Sequence, residues 1–390
     1  MSLSDINTEG GYKEKLKGQC NFFASNGYKV LLVSLKGLKV FSGEFFLDNN
    51  SFQEKKSSSN HNSKILKRLS FLIYSYLVLK TQKHIKILYI RYPRTDLFFL
   101  LFLFLTKLSC RRLKIVFEVP TYPFNLERPK TRTAISIIED INSLLFNWIT
   151  FRLPSVIAVV GFDGKIFGRH VVRIENGVNV DSFPTPLEKP KHREKLNLVM
   201  TSHFNDTNLR HGLDRFLEGL ILYFSNSHSN TDIQLYVIGD LTKKNAPQLF
   251  NLINTSKINE RVHLLGEMYG NDLKDFYQKM HVGIGCLAFH RVGVKYSSSL
   301  KEHEYLASGL PIISGSPDRS IPKKTLLRLE LPADDSPVDI DSLIQFCDKI
   351  YSGSGANRQI QLMAKKFLSW NICLKPLLDY IEPSNLDEAN

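Results

Sequence analysis

The sequence predicts an α/β protein that contains two doubly wound, Rossmann-like domains. Its 390 residues exceed what one hydrophobic core normally organises, so two domains are expected. Residues 196–351 alternate short apolar runs with longer amphipathic segments, the pattern of a parallel sheet covered by helices. Residues 181–195 contain three prolines and charges of both signs, which is typical of a linker.

These features predict where the domains begin and end. The first domain is expected over residues 1–180 and the second over 181–365, followed by a terminal helical segment over 366–390. Within the first domain, residues 42–64 are rich in Ser, Asn and Lys. That composition favours a flexible insertion over a packed element.

The first domain also shows alternating elements. A helix with Leu16, Cys20 and Phe23 on one face follows the Gly10-Gly11 loop and ends at Asn26-Gly27. Further strands are predicted at 28–34, 85–90, 114–119 and 156–160, and further helices at 65–80 and 133–151.

Leu97 to Leu105 is an uninterrupted apolar run of nine residues. It is too short to span a bilayer, which needs about 20 residues. The first interpretation is a buried helix between two strands. The alternative is a helix that docks on a membrane, since Lys107, Arg111 and Arg112 follow it.

The second domain has the clearer pattern. Its strands are predicted at 196–201, 233–238, 262–265, 282–285, 311–314 and 326–331. Its helices are predicted at 211–223, 246–254, 273–279, 299–307 and 340–351, with final helices over 359–381.

Charge is distributed unevenly between the two halves. Residues 1–180 contain 27 Lys and Arg against 13 Asp and Glu, a balance of +14, whereas residues 181–390 contain 24 against 25. A basic half is suited to nucleic acid, an anionic membrane face or a phosphorylated substrate. No zinc-finger, RNP-like or helix-turn-helix pattern is present, so we do not expect nucleic acid as a partner.

The five cysteines show no C-x-x-C pair. This usage favours a reducing compartment and argues against a structural zinc site. The N-terminal residues lack the charged and then apolar pattern of a signal peptide, so a cytoplasmic location is expected.

The segment from Gly285 to Asp318 carries the clearest chemistry. A helix is predicted from Ser298 or Ser299, either of which can act as N-cap, to Gly309, with Pro311 just beyond. Lys301 and Glu304 lie three residues apart and so share a face. A helix N-terminus with serines and a lysine can bind a phosphate, and a carboxylate one turn later can accept hydrogen bonds from sugar hydroxyls. The alternative is an ordinary solvent-exposed ion pair.

The order S-x-L-K-x-x-E-Y-L-A-x-G-L-P-I-I in this segment resembles the donor-site segment of family 4 type GT-B glycosyltransferases. The likeness is greatest to the bacterial branch that builds capsular and other surface polysaccharides. The matched residues are Ser299, Leu300, Lys301, Glu304 and Tyr305, preceded by His290, Arg291 and Gly293. The resemblance implies a GT-B fold, in which two Rossmann-like domains face a central cleft and the last helix crosses back to the first domain.

Other segments of the second half extend the resemblance. After the first strand, Ser202 or His203 stands near a family arginine, and His211-Gly212 replaces Lys-Gly, with Arg210 as a candidate phosphate contact. Val237 to Asp240 resembles a V-x-G-D turn that includes Gly239, and Tyr269 follows the Leu265-Gly266 turn that precedes the base-binding segment. Each of these has an alternative interpretation as an ordinary helix start or turn.

In the first domain, the resemblance implies acceptor-side residues. Gly10 and Gly11 match the glycine loop of the first unit, and Glu118, Thr121 and Tyr122 belong to an E-x-P-T-Y-P string at a strand end. Many relatives have a histidine near this strand end, and this chain has none. Glu118 or Tyr122 would then fill that role, although a plain turn with a packed tyrosine is the alternative. Ile174 to Val178 resembles the I-x-N-G-[IV] turn that leads into the linker.

The resemblance also implies a mechanism. Lys301 and Arg291 would take up the charge of the leaving nucleoside diphosphate with no metal and no cofactor, and Glu118 would be the third catalytic candidate. The remaining donor-site residues would be Ser299, Leu300, Glu304, Arg210, Ser202, His211, Gly239, Tyr269 and His290. Retention of anomeric configuration is implied, with a glycan or polyprenyl-diphosphate-linked acceptor in the basic half and a peripheral contact with an anionic inner membrane.

The sequence departs from the family pattern at one position, so the family's sugar-contacting residue cannot be assigned in this chain. Many relatives have an E-x7-E pair, and the first glutamate is replaced here by Tyr296. Two other functions therefore stay open. One is a non-catalytic GT-B partner or scaffold subunit, and the other is a GT-B epimerase of nucleotide-sugars.

Overall fold

The computed structural model describes residues 10–36, 39–46, 51–57, 64–93, 95–123, 146–188, 195–204, 209–225, 231–323 and 325–382. The chain forms two compact units. Among these residues, the first unit comprises those up to Pro123, then 146–175 and 374–382, and the second comprises 176–373. Thus the chain changes unit after Glu175 and again after Cys373.

The first unit contains the following elements. Its helices are α1 Gly11–Ser25, α2 Lys64–Thr81, α3 Leu97–Ser109, the helical residues 146–150 (α4) and the terminal α12 Lys375–Ile381. Its strands are β1 Leu31–Lys36, β2 Lys39–Phe46, β3 Ser51–Ser57, β4 Ile87–Arg91, β5 Lys114–Val119, β6 Val156–Val160, β7 Lys165–Ile166, β8 Arg169–His170 and β9 Val172–Ile174.

A parallel sheet of order β4-β5-β6-β9 forms the centre of this unit. Strands β5 and β6 are almost continuously buried, as expected for parallel strands covered on both faces. Helix α12 packs in this unit, where the Lys114 ammonium donates to the carbonyl oxygen of Ile381 at 2.7 Å.

The segment 42–64, predicted as a flexible insertion, includes strand residues at 42–46 and 51–57, and its flexibility stays a prediction. Strands β1, β2 and β3 form a separate antiparallel sheet in that order. Buried Phe45 and Glu44 lie on β2, and Lys29 pairs with Glu44 at 2.7 Å.

The second unit is the doubly wound sheet that the sequence predicts. Its strands are β10 Lys195–Thr201, β11 Asp232–Ile238, β12 Val262–Leu264, β13 Val282–Ile284, β14 Ile312–Ser314 and β15 Arg328–Glu330. Its helices are α5 Leu213–Ser225, α6 Pro247–Thr255, α7 Gly270–Tyr277, α8 Leu300–Ala307, α9 Ile340–Ile350, α10 Ala356–Leu368 and α11 Trp370–Cys373.

All strand pairs of this sheet are parallel, in the order β12-β11-β10-β13-β14-β15. Strands β11 and β12 are added in sequence order on one side of β10, and the chain then returns to add β13 on the other side of β10. The topological switch point therefore lies between β10 and β13. Open α/β sheets bind their ligands at the carboxyl ends of the strands at such a point.

Helix α3 differs from its predicted environment. The run from Leu97 to Leu105 is helical, but α3 is buried only along Phe99, Phe102, Leu103 and Thr106. A helix that packs on one face of a sheet buries only the side chains on one of its sides. The other side of α3 therefore stays exposed although its residues are apolar. The first part of the helix predicted over 133–151 lies outside the described residues.

Candidate functional site

The candidate site of the second unit is built from the chain that follows β10 and β13. Leu287 N donates to His211 O and Ala288 N donates to Arg210 O, both at 3.1 Å, which ties the two segments together. Between them, Gly212 has φ of 66°, and a Cβ there would lie 2.8 Å from the Cβ of Leu287. Arg210 and His211 are thus held beside the end of β13.

Helix α8 begins where the sequence predicts, with Ser299 as N-cap residue and Leu300 as the first helical residue. Ser299, Leu300, Lys301 and Glu304 are all half-buried. The Lys301 ammonium nitrogen is enclosed by protein, yet it has no hydrogen-bond partner within the described part of the chain. An enclosed ammonium at a helix N-terminus is a local excess of positive charge.

His211, Arg210 and His203 lie near this lysine. Burial holds the pKa of His211 well below its usual range, and the charges of Lys301, Arg210 and His203 lower it further. The His211 Nδ1 lies 3.6 Å from the Sγ of Cys286, whose own pKa is raised by burial. A neutral His211 can act as a hydrogen-bond partner while Lys301 and Arg210 supply charge. The cluster is suited to an anion.

Glu302 is a buried residue of α8 that the sequence did not indicate as a site residue. Its Oε1 accepts from Cys286 N at 3.0 Å and from the Ser314 hydroxyl at 3.1 Å. It therefore fixes the start of α8 to the ends of β13 and β14. Burial raises the pKa of this carboxyl group.

Truncating Glu302 should destabilise the chain. Glu302→Ala leaves two buried donors without their acceptor, and we expect a loss of about 2–4 kcal/mol of unfolding free energy. Glu302→Gln retains an acceptor oxygen without charge and should cost less than about 1 kcal/mol, because burial already disfavours the charged form. Urea unfolding of the two full-length variants measures the difference. Equal losses would contradict the role given to Oε1.

His303 and Asp318 form a fully buried pair, with His303 Nε2 2.7 Å from Asp318 Oδ2. Burial would raise the pKa of Asp318, but His303 and the hydrogen bonds from Ser320 lower it. The pair connects α8 to the loop after β14. Glu302 and His303 are the two residues that follow Lys301, and their buried contacts fix this turn of α8.

His290 and Arg291 lie on a 3-10 turn at 289–292 and already have carboxylate partners. Arg291 pairs with Asp214 at 2.7 Å and with Asp335 at 2.6 Å, and His290 Nε2 lies 2.9 Å from Asp335. Hydrogen bonds from His290 and Arg291 lower the pKa of Asp335 to about 2. The positive charge of Arg291, for which a catalytic role is predicted, is thus paired with two carboxylates. These contacts of Arg291 hold the 3-10 turn to α5 and to the 332–338 loop.

Arg215 is a buried arginine that the sequence analysis did not single out. Its side chain donates to Ser336 O at 2.8 Å, to Pro332 O at 3.2 Å and to the carbonyl oxygen of Leu287. It therefore joins α5 to the segment after β13. An arginine in the first turn of an amphipathic helix gives no signal in the sequence that distinguishes it from a solvated one.

Ser202, Gly239 and Tyr269 follow β10, β11 and β12 respectively. Gly239 has φ of 139°, and a Cβ at this position would lie 1.8 Å from the carbonyl oxygen of Ser202. The Gly239 N–H donates to Gly266 O at 2.7 Å, which joins the two predicted turns. Tyr269 is the N-cap residue of α7. These residues thus share the carboxyl edge of the sheet with Lys301.

The Asn176-Gly177 turn also supports this edge. Asn176 N donates to the Ser298 hydroxyl at 2.8 Å, and the Asn176 amide donates to Ser298 O. The sequence identified this turn only as an entry to the linker. Its partner is 122 residues away, immediately before the N-cap of α8.

In the first unit, Glu118 is the centre of a buried polar cluster at the end of β5. Lys15 of α1 lies 2.7 Å from its carboxylate, with exposures of 3% for Lys15 and 0% for Glu118. Tyr89 and Gln19 donate to Glu118 Oε2 at 2.8 and 2.9 Å, and Arg91 lies 3.9 Å from Oε1. Although burial would raise the pKa of Glu118, Lys15 and Arg91 lower it to about 2. A carboxylate with this pKa is a weak base at neutral pH.

The other predicted acceptor residues lie near the ends of α1 and β5. Gly10 has φ of 112° and accepts from Lys13 N at 3.1 Å, so Gly11 is the first residue of the helix. Thr121 is half-buried, and the Tyr122 ring packs on Phe162 with centroids 4.6 Å apart. The acceptor role of these residues stays a prediction.

Comparison with solved structures identifies the architecture. A glycosyltransferase from Rickettsia africae matches with a TM-score of 0.60 and 16% identity over 97% of this chain and 96% of that chain. The chain has the GT-B fold. HepE from Anabaena, in complex with UDP and glucose, matches with a TM-score of 0.61 and 12% identity over 98% and 99% of the two chains.

WaaG, a glycosyltransferase involved in lipopolysaccharide biosynthesis, matches with a TM-score of 0.57 and 14% identity over 98% and 99% of the two chains. No protein-family model matches this chain, and no curated protein sequence matches it significantly. At these identities the likeness concerns the fold, because one fold hosts many chemistries. The GT-B fold predicted from the sequence is confirmed.

Proposed function

We propose that this protein is a glycosyltransferase that moves a sugar from a nucleotide diphosphate sugar to a glycan or lipid-linked acceptor. The observation that carries the proposal is the enclosed Lys301 ammonium, which has no hydrogen-bond partner among the described residues. It lies at the N-terminus of α8, beside Arg210 and His211, on the carboxyl edge of a doubly wound sheet. A diphosphate would supply an anionic partner for the Lys301 ammonium.

The proposed chemistry uses this charge in the reaction. As the bond between the anomeric carbon and the diphosphate oxygen breaks, negative charge develops on the leaving diphosphate. Lys301, Arg210 and the free N–H groups of α8 would stabilise that charge without a metal. Glu304, one turn along the same face, would accept hydrogen bonds from the ribose.

The proposal also includes finer points that derive from the family 4 resemblance. These are retention of anomeric configuration, a hexosyl donor and a role in bacterial surface polysaccharide synthesis at the inner face of the cell membrane. Similar solved structures support a uridine donor, because HepE was crystallised with UDP and with UDP-glucose.

A panel of UDP-, GDP- and dTDP-sugars with the free nucleotides tests the donor site. A ligand at 100 times its Kd should raise the thermal midpoint by about 3–6 °C, because it binds only the folded state. We expect the uridine series to give the shift. A folded protein whose midpoint no nucleotide moves would contradict the donor site.

A non-catalytic GT-B subunit is the second candidate. The observation that favours it is that Arg291 and Glu118, two of the three predicted catalytic residues, are already paired with opposite charges. A nucleotide-sugar that shifts the midpoint but is neither hydrolysed nor transferred would support this candidate. Turnover of the donor would exclude it.

A further inference from the structure

Helix α3 of the first unit presents an apolar stripe to solvent. The stripe residues occur at helical spacings of three and four, and their exposures range from 39% to 59%; they are Leu97, Phe98, Leu101, Phe104, Leu105 and Leu108. A water-facing side of a helix normally carries polar residues, but Lys107 is the single charged residue in α3. Monomeric soluble proteins rarely expose apolar side chains so densely.

The stripe makes no contribution to the core of the unit. The opposite side of α3 supplies the packing, through Phe99, Phe102 and Leu103. Asp96 caps the helix by accepting from Phe99 N at 2.8 Å. Since α3 is already capped and packed, the stripe residues are available for another surface.

Helix α2 runs alongside α3 in the same direction and widens this surface. Arg68 pairs with Asp96 at the start of α3, and the Tyr76 hydroxyl lies 2.8 Å from the Ser109 hydroxyl at its end. Ile73 and Leu77 of α2 are each 51% exposed. We call the exposed apolar residues of α2 and α3 the outer face.

A third helical segment borders α3. Lys107 donates to Leu153 O at 3.2 Å, just after α4. Trp148 and Ile149 of α4 are 53% and 45% exposed, and the Arg152 guanidinium lies 3.9 Å from the centroid of the Trp148 ring. An exposed tryptophan beside a cation is typical of proteins that contact a membrane–water interface.

The charge around the outer face is predominantly positive. Residues 64–114 contain 12 Lys and Arg and a single acidic residue, Asp96. Asp96 is paired with Arg68, so it does not offset the remaining charge. The exposed cations at the end of α3 are Lys107, Arg111 and Arg112. Such a surface is complementary to an anionic one.

We propose that the outer face docks on the surface of an anionic lipid bilayer, with α3 lying in the plane of the interface. The stripe residues would enter the headgroup and acyl boundary while Lys107, Arg111 and Arg112 contact lipid phosphates. No helix in the described ranges is long and apolar enough to cross a bilayer. Helix α3 has 13 residues and spans about 20 Å, against about 30 Å of hydrocarbon.

This inference rests on the membrane location in the proposed function and names the surface that would contact the membrane. Binding to a bilayer requires neither the sugar donor nor the acceptor. The test therefore measures binding of the full chain to vesicles without nucleotide. We expect the protein to sediment with vesicles of phosphatidylcholine and phosphatidylglycerol but weakly with phosphatidylcholine alone. Added salt should weaken the binding. A folded protein that binds neither vesicle overturns the proposal, whereas the nucleotide-dependent midpoint shift would be unaffected.

A pair of matched variants tests the outer face itself. Leu101→Ser/Leu108→Ser removes two stripe leucines that are 52% and 57% exposed, and should lower vesicle partitioning at least tenfold. The control, Leu222→Ser/Leu326→Ser, removes two leucines of the second unit that are each 56% exposed, and should bind as the unmodified chain does. All four side chains are exposed, so both variants should keep the thermal midpoint.

Two results would overturn the assignment of the outer face. The first is equal partitioning of the stripe variant and the control. The second is a dimer in solution that the stripe variant alone converts to a monomer, with no vesicle binding by either. In that case the outer face is an interface between two copies of the chain.

Discussion

Replacing Lys301 with alanine is expected to lower kcat/KM for sugar transfer by about 10²–10³-fold, the usual cost of losing one preorganised charge at the site where negative charge develops. The thermal midpoint should not fall, because the Lys301 ammonium has no hydrogen-bond partner that the substitution would leave unsatisfied. Steady-state kinetics together with a melting curve of the ligand-free variant would measure both effects. The midpoint shift produced by the nucleotide should also decrease.

Lys295→Ala is the matched control for Lys301→Ala. Lys295 lies six residues before Lys301, and its side chain is exposed. The substitution therefore removes the same charge, but from a position outside the N-terminus of α8. The activity of this variant should stay within about twofold of that of the unmodified chain, since an exposed charge is screened by solvent. Comparable losses in the two variants would show a general effect of net charge, and full activity of Lys301→Ala would remove Lys301 from the site.

Replacing Lys15 with methionine is expected to lower the unfolding free energy by roughly 3–5 kcal/mol, because it leaves the Glu118 carboxylate buried without its closest cation. Lys15 is itself buried, and burial lowers its pKa while Glu118 raises it. The double variant Lys15→Met/Glu118→Gln should recover most of the loss, since both charges are then absent. Urea unfolding of the full chain would measure the three free energies.

The same double variant tests the predicted catalytic role of Glu118. If Glu118 is structural, a folded double variant should retain transfer activity. If Glu118 acts on the acceptor, the variant should stay inactive although its stability is restored. Failure of the second substitution to recover any stability would contradict the pairing of Lys15 with Glu118.

A pH dependence follows from the pKa of Glu118, which lies at about 2 in the folded chain. Because this pKa is below the unfolded value, the stabilisation is fully present above about pH 4.5 and is lost as the pH falls toward 2. The free energy of unfolding should therefore decrease more steeply over this window in the unmodified chain than in Lys15→Met/Glu118→Gln. Parallel pH profiles would contradict the assignment.

Local signals in the sequence determined much of the second unit. Strand β10 and helices α8 and α9 begin and end within about two residues of their predicted positions, because short apolar runs and stop signals such as Gly309 act over a single turn. The shared face of Lys301 and Glu304 also follows from helical spacing alone. These inferences need no knowledge of which strand lies beside which.

Partnerships across the sheet were decided only by tertiary structure. Glu302 meets Cys286 and Ser314, and Arg215 meets carbonyl groups as far as 121 residues away. Such contacts depend on the strand order, in which β13 returns beside β10, and strand order leaves no local trace in the sequence. The structure therefore showed the partners of Arg291 and Glu118, which the sequence does not indicate.

The apolar run of α3 shows most clearly the difference between what the sequence determined and what the tertiary structure decided. Nine consecutive apolar residues favour a buried element, but they carry no periodicity that selects one side of a helix. Packing on the parallel sheet selected Phe99, Phe102 and Leu103 for the core and left Leu101, Leu105 and their neighbours outside. A helix can offer only one stripe to a sheet, so the excess apolar surface became visible only in the folded chain.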